Sequence, residues 1–506
     1  MELGEAIQEA FSRLRAAGRV EVRENGAWLA ALEPFEFELR PKDERLLLHL
    51  WSAEASIVWR VVAIVENERG RLLLDVARQA RRGTAHLEFI AAQGARRTAR
   101  IVREQFRTHF ADLLARRFPD EKLASLTTAA DLEHSLSGNY ARGVLEGGAQ
   151  SWAVLGAAPE ESAATYDGIL TFGLVWLDRA HASPRRKPVA GLRLFLPEGF
   201  AVATAHRMRA LSPTVAVELY EYQIDTWSGA CIDPRDLGNV STRLLPRREV
   251  EALLAQAAPE IARIRRLAPH AITAEAIPDA REVLFRFRGL AFARWDPAGL
   301  RYGLNEARER LTPDREQDFA RLLRDLEAHR SPVASARQNT LYRAQPERWL
   351  QALVAEDVRG VDARLDPKFV YSQVSAVSGG ERGVMDLLTV TRDGRLALLE
   401  LKADEDIHLV LQAASYWLRI SAHHEQQELQ RYGYFPKITL DPRPPLLFLV
   451  APALRFHPAS DVLLRGLKSE IEVCRVGVSE TWRRGLRAVL RQGRSAKEDS
   501  SRKIRP

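Results

Sequence analysis

The sequence predicts a multi-domain α/β protein, with a mixed α+β N-terminal region and a C-terminal core in the order α-β-β-β-α-β. Three observations carry that prediction. Apolar runs between about residues 35 and 89 alternate and are separated by polar turns, the period-two mark of a largely antiparallel sheet. From about residue 150 onward, strand-like runs interleave with helical ones, which argues layered α/β structure. Beyond a polar stretch at 330–340, the succession helix, strand, hairpin, helix, strand can be followed residue by residue. A chain of 506 residues, at about 150 residues per domain, makes roughly three domains the expectation.

Composition excludes several classes. A hydrophobic share of 46% and a charged share of 28% are those of an ordinary globular protein, so wholesale disorder, a collagen repeat and a disulfide scaffold are out. The 74 Lys and Arg against 67 Asp and Glu leave +7 over the whole length, which is no histone-like polycation. Nine of the basic residues are lysines and 65 are arginines. Codon bias explains most of that imbalance, yet it makes each lysine informative. Cys231 and Cys474 lie far apart in apolar, strand-like contexts and offer neither a disulfide framework nor zinc spacing. They are expected to be buried thiols. No run reaches the ~18 uncharged apolar residues of a membrane helix, and GxxxxGK[ST] is absent, which argues against a P-loop NTPase. A cytoplasmic protein that meets no membrane is expected.

The first residues form an amphipathic helix, with Leu3, Ile7, Ala10, Phe11 and Leu14 on one face. Glu2, Glu5 and Glu9 within it are unlike a signal or transit peptide. The alternating runs FEFELR, RLLLHLW, SIVWRVVAIV, RLLLDVAR and AHLEFIA follow, then a helix over about 97–117 stopped near Pro119. WAVLGA, GILTFGLVWLD, GLRLFLP and TVAVELYEY predict strands around a helix at about 201–210, with Asp167 at a strand start. RREVEALLAQAAPEIARIRRLAP predicts a helix. In EVLFRFRGLAFARWDPAGLRYGL, a hairpin-like unit, Phe285 and Phe287 alternate with Arg286 and Arg288. The arginine face could meet a phosphate backbone; the more ordinary reading is one core face and one solvated face. A helix over about 313–329 leads into RSPVASARQNT, the best domain boundary in the sequence.

The chemistry lies beyond it. PERWLQALVAEDV predicts a helix with Trp349, Leu350, Leu353 and Val354 as its apolar stripe, and FVYSQVSAV a strand. GVMDLLTVTRDGRLALLELKADED predicts a hairpin around Arg392-Asp393-Gly394. A helix over about 404–423 and the strands LLFLVAPA and EIEVCRVGV follow. Strand alternation puts Glu400 and Lys402 on one face. A three-residue loop with Gly394 left-handed would set Asp386 opposite Glu400, whereas a two-residue loop would send the two acids to opposite faces. RDG, with glycine third, fits the longer loop. Two carboxylates that close repel unless a cation lies between them. Oxygen ligands without sulfur or histidine point to magnesium or manganese. A lysine beside them can orient an attacking water or hold a developing anion, a role that suits its compact ammonium better than a guanidinium.

Asp386, then Glu400-Leu401-Lys402 within α-β-β-β-α-β, resembles the PD-(D/E)xK nuclease superfamily of restriction endonucleases, junction resolvases and recombination exonucleases. The proline of that pattern is Met385 here. The resemblance covers about 340–480. It implies a restriction-endonuclease-like core, Asp386 and Glu400 as metal ligands, the Leu401 carbonyl as a further ligand and Lys402 as the catalytic lysine. It also implies an acid on the first helix, for which Glu347 is the best match and Glu356 the second. Gln412-x3-Tyr416 looks like a feature of the RecB-like branch. Gln412 would face the metal-bound water or phosphate, and Tyr416 the nucleic-acid backbone, on one helical stripe with His408.

The function expected is therefore a Mg2+- or Mn2+-dependent nuclease acting on nucleic acid, DNA by resemblance, with the N-terminal region selecting substrate or regulating. The alternative is a non-cleaving binding or assembly protein that keeps the fold. A homodimer, a separate ATPase and defence or repair proteins are candidate partners. The expected divisions are 1–149, 150–279, a connector at 280–331, the nuclease-like domain at 340–485 and a disordered basic tail at 486–506. The second division has a rhythm similar to the nuclease core but reads Phe195-Leu196-Pro197 at the place of Glu-x-Lys. It is either a decayed copy suited to binding or dimerisation, or a different α/β domain.

Overall fold

The computed structural model describes residues 2–494 except 17–19, 25–26, 33–35, 43–44, 52–55, 69, 78–83, 132, 185, 236–243, 305–308 and 379–380. The chain divides into two compact units, Met1–His109 and Phe110–Pro506. It is a mixed α/β protein of several sheets, and among the described residues no helix is long and apolar enough to cross a membrane.

In the first unit, helix α1 (Glu2–Ala16) buries Ile7, Ala10, Phe11 and Leu14 in one apolar cluster with the sheet, as its pattern predicts. That sheet is antiparallel and seven-stranded, in the order β2-β1-β7-β6-β5-β4-β3. The strands are β1 (Val20–Glu24), β2 (Ala27–Leu32), β3 (Glu36–Lys42), β4 (Arg45–Trp51), β5 (Ser56–Glu68), β6 (Arg71–Ala77) and β7 (Thr84–Ala91). The last five are the alternating runs of the sequence. The first two lie outside that alternation, since the alanine-rich β2 carries little strand preference of its own. Helix α2 (Ala92–Arg117) runs across the division between the units.

The second unit begins with a six-stranded sheet of β8 (Lys122–Thr127), β9 (Tyr140–Gly147), β10 (Gln150–Ala157), β11 (Val189–Pro197), β12 (Val217–Tyr222) and β13 (Gly229–Ile232). Helix α3 (Ala163–Ala182) connects β10 to β11, and α4 (Ala201–Met208) connects β11 to β12. Two expectations are corrected here. The boundary at 149/150 falls inside the β9–β10 hairpin. GILTFGLVWLD is the body of α3, not a strand, so Asp167 is a helical residue. An apolar run cannot distinguish a buried strand from a buried helix by periodicity, and α3 is buried on most of its circumference, including Ile169, Leu170, Leu174 and Val175.

Helices α5 (Arg247–Gln256) and α6 (Ala258–Arg265) replace the single expected helix, with Pro259 at the start of the second. An antiparallel sheet comes next: β14 (Ile272–Ile277), β15 (Glu282–Phe287), β16 (Leu290–Asp296), β17 (Gly299–Tyr302) and β18 (Glu309–Arg310), then α7 (Glu316–His329). Phe285 and Phe287 are buried in its core. The stretch after α7 is not a loose linker. Arg330 is completely buried, and its guanidinium donates to the carbonyls of Phe287, Arg288, Leu341, Ala344 and Gln345 at 2.6–3.4 Å. Burial pulls its pKa down to about 9, yet five acceptors keep the charge satisfied. The side chain ties the five-stranded sheet to the backbone of residues 341–345.

The C-terminal part comprises α8 (Thr340–Arg343), α9 (Pro346–Glu356), α10 (Val358–Val361), β19 (Tyr371–Ser378), β20 (Glu381–Val390), β21 (Leu396–Leu401), α11 (Leu409–Glu425), α12 (Glu428–Arg431), β22 (Leu446–Pro452), α13 (Ser460–Gly466), β23 (Val473–Val478) and β24 (Ala488–Arg494). The six strands pair in sequence order. Residues 488–494, expected in a disordered tail, form its edge strand; the rest of that tail lies outside the described residues. Cys474 is half-buried on β23 and Cys231 is exposed on edge strand β13, so the expectation of two buried thiols is corrected.

The two six-stranded sheets have the same topology. Each is an antiparallel three-strand meander, a helical crossover to a parallel strand, a second helix, another parallel strand and an antiparallel edge strand. Helix α11 packs on one face of its sheet with α9 on the other. In the first sheet, α3 covers the face of Leu155 and Leu194, and Phe110 of α2 covers the face of Gly156 and Phe195. A buried guanidinium shared by five carbonyls cannot be replaced by a smaller group without leaving acceptors unpaired. Arg330→Ala is expected to lower unfolding free energy by about 3 kcal/mol or more, read as a shift in urea midpoint, with Arg330→Lys recovering less than half of the loss.

Candidate active site

The β20–β21 hairpin adopts the three-residue loop. Val390 pairs with Leu396 and Leu387 with Leu399, so one further step brings Asp386 opposite Glu400. Gly394 is left-handed at φ +89°, as that loop requires. Glu400 lies on the central strand β21, only 3% exposed, and its Oε2 has no hydrogen-bond partner. Asp386 Oδ2 accepts the Leu401 N–H at 2.9 Å. Burial, then the Asp386 charge, pushes the Glu400 carboxyl well above the usual carboxylate range. Burial raises Asp386 as well.

Lys402 stands two residues on, its ammonium 3.0 Å from Asp406 Oδ2 and 3.9 Å from Glu347 Oε1. Burial alone would lower its pKa, but Glu347 and Asp406 outweigh that and hold the lysine charged. Burial opposes the ionisation of Asp406, yet Lys402 and the His408 amide overcome it and keep this carboxyl below its ordinary range. Glu347 lies in the first turn of α9, half-exposed, and burial raises its pKa against the pull of Lys402. Gln412 and Tyr416 come from α11, the amide donating to the phenol oxygen at 3.4 Å. Burial, then the nearby Glu400, keeps the Tyr416 hydroxyl protonated beyond its normal range.

The fold thus brings together Asp386, Glu400, Lys402, Glu347, Gln412 and Tyr416. Among the described residues, no three His, Cys, Asp or Glu side chains gather at metal-holding spacing, and Glu347 meets Lys402 instead of the other acids. Glu356, the second choice, lies at the far end of α9. Arg286 and Arg288 have partners of their own. Arg286 pairs with Glu275 at 2.8 Å; Arg288 sits in the turn after β15 at φ +43° and donates to the Arg330 carbonyl at 2.6 Å. Both border a cavity of about 490 Å³ that also touches Arg348 and Gln351.

Two participants escaped the sequence reading. Asp406 is four residues beyond Lys402, a spacing that means little until the chain turns from β21 toward α11. Gln351 lies four residues after Glu347 on α9, where helical spacing alone could have marked it. Its amide donates to the Asp386 carbonyl at 2.8 Å, while Arg348 donates to its Oε1 at 3.0 Å. Comparison with protein families finds no family model that matches the chain, and comparison with curated proteins finds no match either.

The donor chemistry suits a hard divalent cation: two facing carboxylates, one with a buried oxygen lacking any donor, and no sulfur or imidazole between them. Folded, Glu400 retains its proton at pH values where the unfolded chain has lost it. Ionisation therefore opposes folding, and metal-free stability falls as pH rises past the ordinary glutamate range. In chelator at neutral pH, Glu400→Gln is expected to melt above the wild type, by on the order of 1–2 kcal/mol. The gap should close toward about pH 4, and divalent cations should raise the melting temperature of the wild type alone.

Proposed function

We propose that the C-terminal core is a nuclease of the PD-(D/E)xK type, hydrolysing phosphodiester bonds in nucleic acid, DNA by that resemblance. The observation that supports it most is the unpartnered, buried Glu400 Oε2 on the strand face opposite Asp386. In that reading the Asp386 and Glu400 carboxylates and the Leu401 carbonyl hold a magnesium or manganese ion. When bound, the ion supplies charge neutralisation at the scissile phosphate and a lowered pKa for the attacking water.

The chain's own groups do the rest. Lys402, fixed by Asp406 at 3.0 Å, remains an ammonium and faces the negative charge that develops as the phosphoester breaks. Glu347, 3.9 Å from that ammonium, limits its swing and can accept a hydrogen bond from the incoming water. Tyr416, protonated, donates to a phosphate oxygen, and Gln412 orients it. Gln351 fixes the backbone of Asp386, so the first acid does not drift when its charge changes. The first unit and the preceding sheets would select substrate or regulate access.

Cleavage of plasmid and of short single-stranded and duplex substrates, with magnesium, manganese or chelator, tests this. Asp386→Ala and Lys402→Ala should each lose at least about 100-fold in rate, and Asp386→Ala should also lose manganese binding by titration calorimetry. Equal cutting by the wild type and both variants would trace the activity to a contaminant and end the proposal.

A further inference from the structure

The shared topology of the two six-stranded sheets extends to how they pack on each other. Helix α3 is in contact with α13, and the corresponding pair, α11 and α4, is likewise in contact. The segments leaving α4 and α13 meet as an antiparallel bridge between Leu211 and Leu467. There Ser212 N donates to Gly466 O at 2.8 Å and Lys468 N to Ala210 O at 2.9 Å. Each half thus offers the other the same surface, which is the isologous contact of a two-fold dimer, built within one chain.

The halves differ where the chemistry lies. Glu400 is opposite Leu449 on β22, three residues before Pro452. Leu155 is opposite Leu194 on β11, three residues before Pro197. The position equivalent to Glu400 is therefore Leu155, and that of Lys402 is Ala157. The expected location at Phe195-Leu196-Pro197 is one strand too late. Asp386, opposite Glu400, corresponds to Arg142, opposite Leu155. Arg142 is buried, donates to the carbonyls of Ala129 and Ser137 and lies over the Trp176 ring. A fixed guanidinium, a leucine and an alanine give this half no oxygen donor for a cation and no ammonium. The N-terminal halves of α3 and α11 line one cleft of about 500 Å³. Asp167, Thr171 and Arg207 form one wall, and Asp406, Gln412 and Tyr416 the other.

We infer that the chain is a single-chain pseudo-dimer with one competent half, and that on duplex nucleic acid it cuts one strand only. The inference rests on the nuclease reading above. The two backbones of a duplex are related by local two-folds, so a two-fold protein addresses one strand with each half. Here the half around α3 keeps the cleft wall and the packing surface, but Arg142, Leu155 and Ala157 stand where the other half has Asp386, Glu400 and Lys402. It holds the second strand while the half around Asp386 breaks the first.

The test is a time course on supercoiled circular duplex with magnesium or manganese, at enzyme below substrate. Open circles should be the main product when half of the supercoils are consumed, with linear molecules appearing only later. Mixing in Asp386→Ala chains should lower the rate in simple proportion to the competent fraction. Linear product formed from the outset, or a rate falling as the square of that fraction, would mean two chains supply two centres, and overturns the inference while leaving the nuclease reading intact. Cutting confined to single strands does the same. Absence of cutting on every substrate removes the nuclease reading, and this inference with it.

Discussion

One turn fixes where the acids meet. In the loop Arg392-Asp393-Gly394, the Thr391 and Arg395 backbones close the hairpin, with Thr391 N donating to Arg395 O at 2.8 Å and Gly394 N to Thr391 O at 2.9 Å. Gly394 is both left-handed and confined: a Cβ there would come within 2.4 Å of the Thr439 carbonyl. The glycine is required twice, by conformation and by crowding. One residue fewer in this loop would slip the register by one, and a one-residue slip turns every side chain of a strand to the opposite face. Asp386 and Glu400 would then no longer share a face. Because β21 is central, flanked by β20 and β22, Glu400 is also dry. A three-residue loop is thus the reason that two acids are forced together out of water.

The surroundings answer that constraint. A buried carboxylate pair is unfavourable on its own, and the groups around it are arranged to keep it in place without neutralising it. Lys402 is drawn toward Asp406 and Glu347, so its charge is near the pair but not spent on it. Helix α9 is fixed at both its start and its side. Arg330 caps the carbonyls that lead into it. Gly289, left-handed at φ +84°, lets the β15–β16 turn approach so closely that a Cβ would meet the Arg348 carbonyl at 2.2 Å. From that anchored helix Gln351 reaches the Asp386 backbone. The five-stranded sheet is therefore part of the support of the candidate site, although it contributes none of its acids.

Much of this was legible in the sequence because it depends on local rules. Strand alternation in the first unit, the RDG loop, the face shared by Glu400 and Lys402 and the placement of Glu347 at a helix start need only a few neighbouring residues. The features that were not legible depend on distant contacts. GILTFGLVWLD resembles a buried strand because α3 is covered by its own sheet and by α13, which erases the polar face that marks most helices. Residues 330–340 look like a linker by composition, yet Arg330 at its start reaches five carbonyls on either side of that stretch, from Phe287 and Arg288 to Leu341, Ala344 and Gln345. Arg286 and Arg288 alternate with phenylalanines as a phosphate-binding face would; in the fold Arg286 also pairs with Glu275 and Arg288 also donates to the Arg330 carbonyl, contacts that the alternation does not reveal. Tertiary partners decided each case.

The same energetics account for the residues at the corresponding positions of the half around α3. A core that does not hold a cation gains nothing from two carboxylates facing each other in a dry sheet, and it bears their repulsion and desolvation. Apolar residues of suitable volume at those positions are neutral or stabilising. Leu155 and Ala157 are such residues, wholly buried in the shared apolar core. The third position is occupied by Arg142 rather than an apolar side chain, and its burial is offset because its donors reach the Ala129 and Ser137 carbonyls of the segment between β8 and β9. The candidate catalytic half has a buried, unsatisfied Glu400 where its counterpart has Leu155. In a fold present twice in one chain, the copy acts as an internal control. Leucine at the corresponding place of the other half is accommodated without any such cost, so the burial of an acid at 400 is not a requirement of this topology.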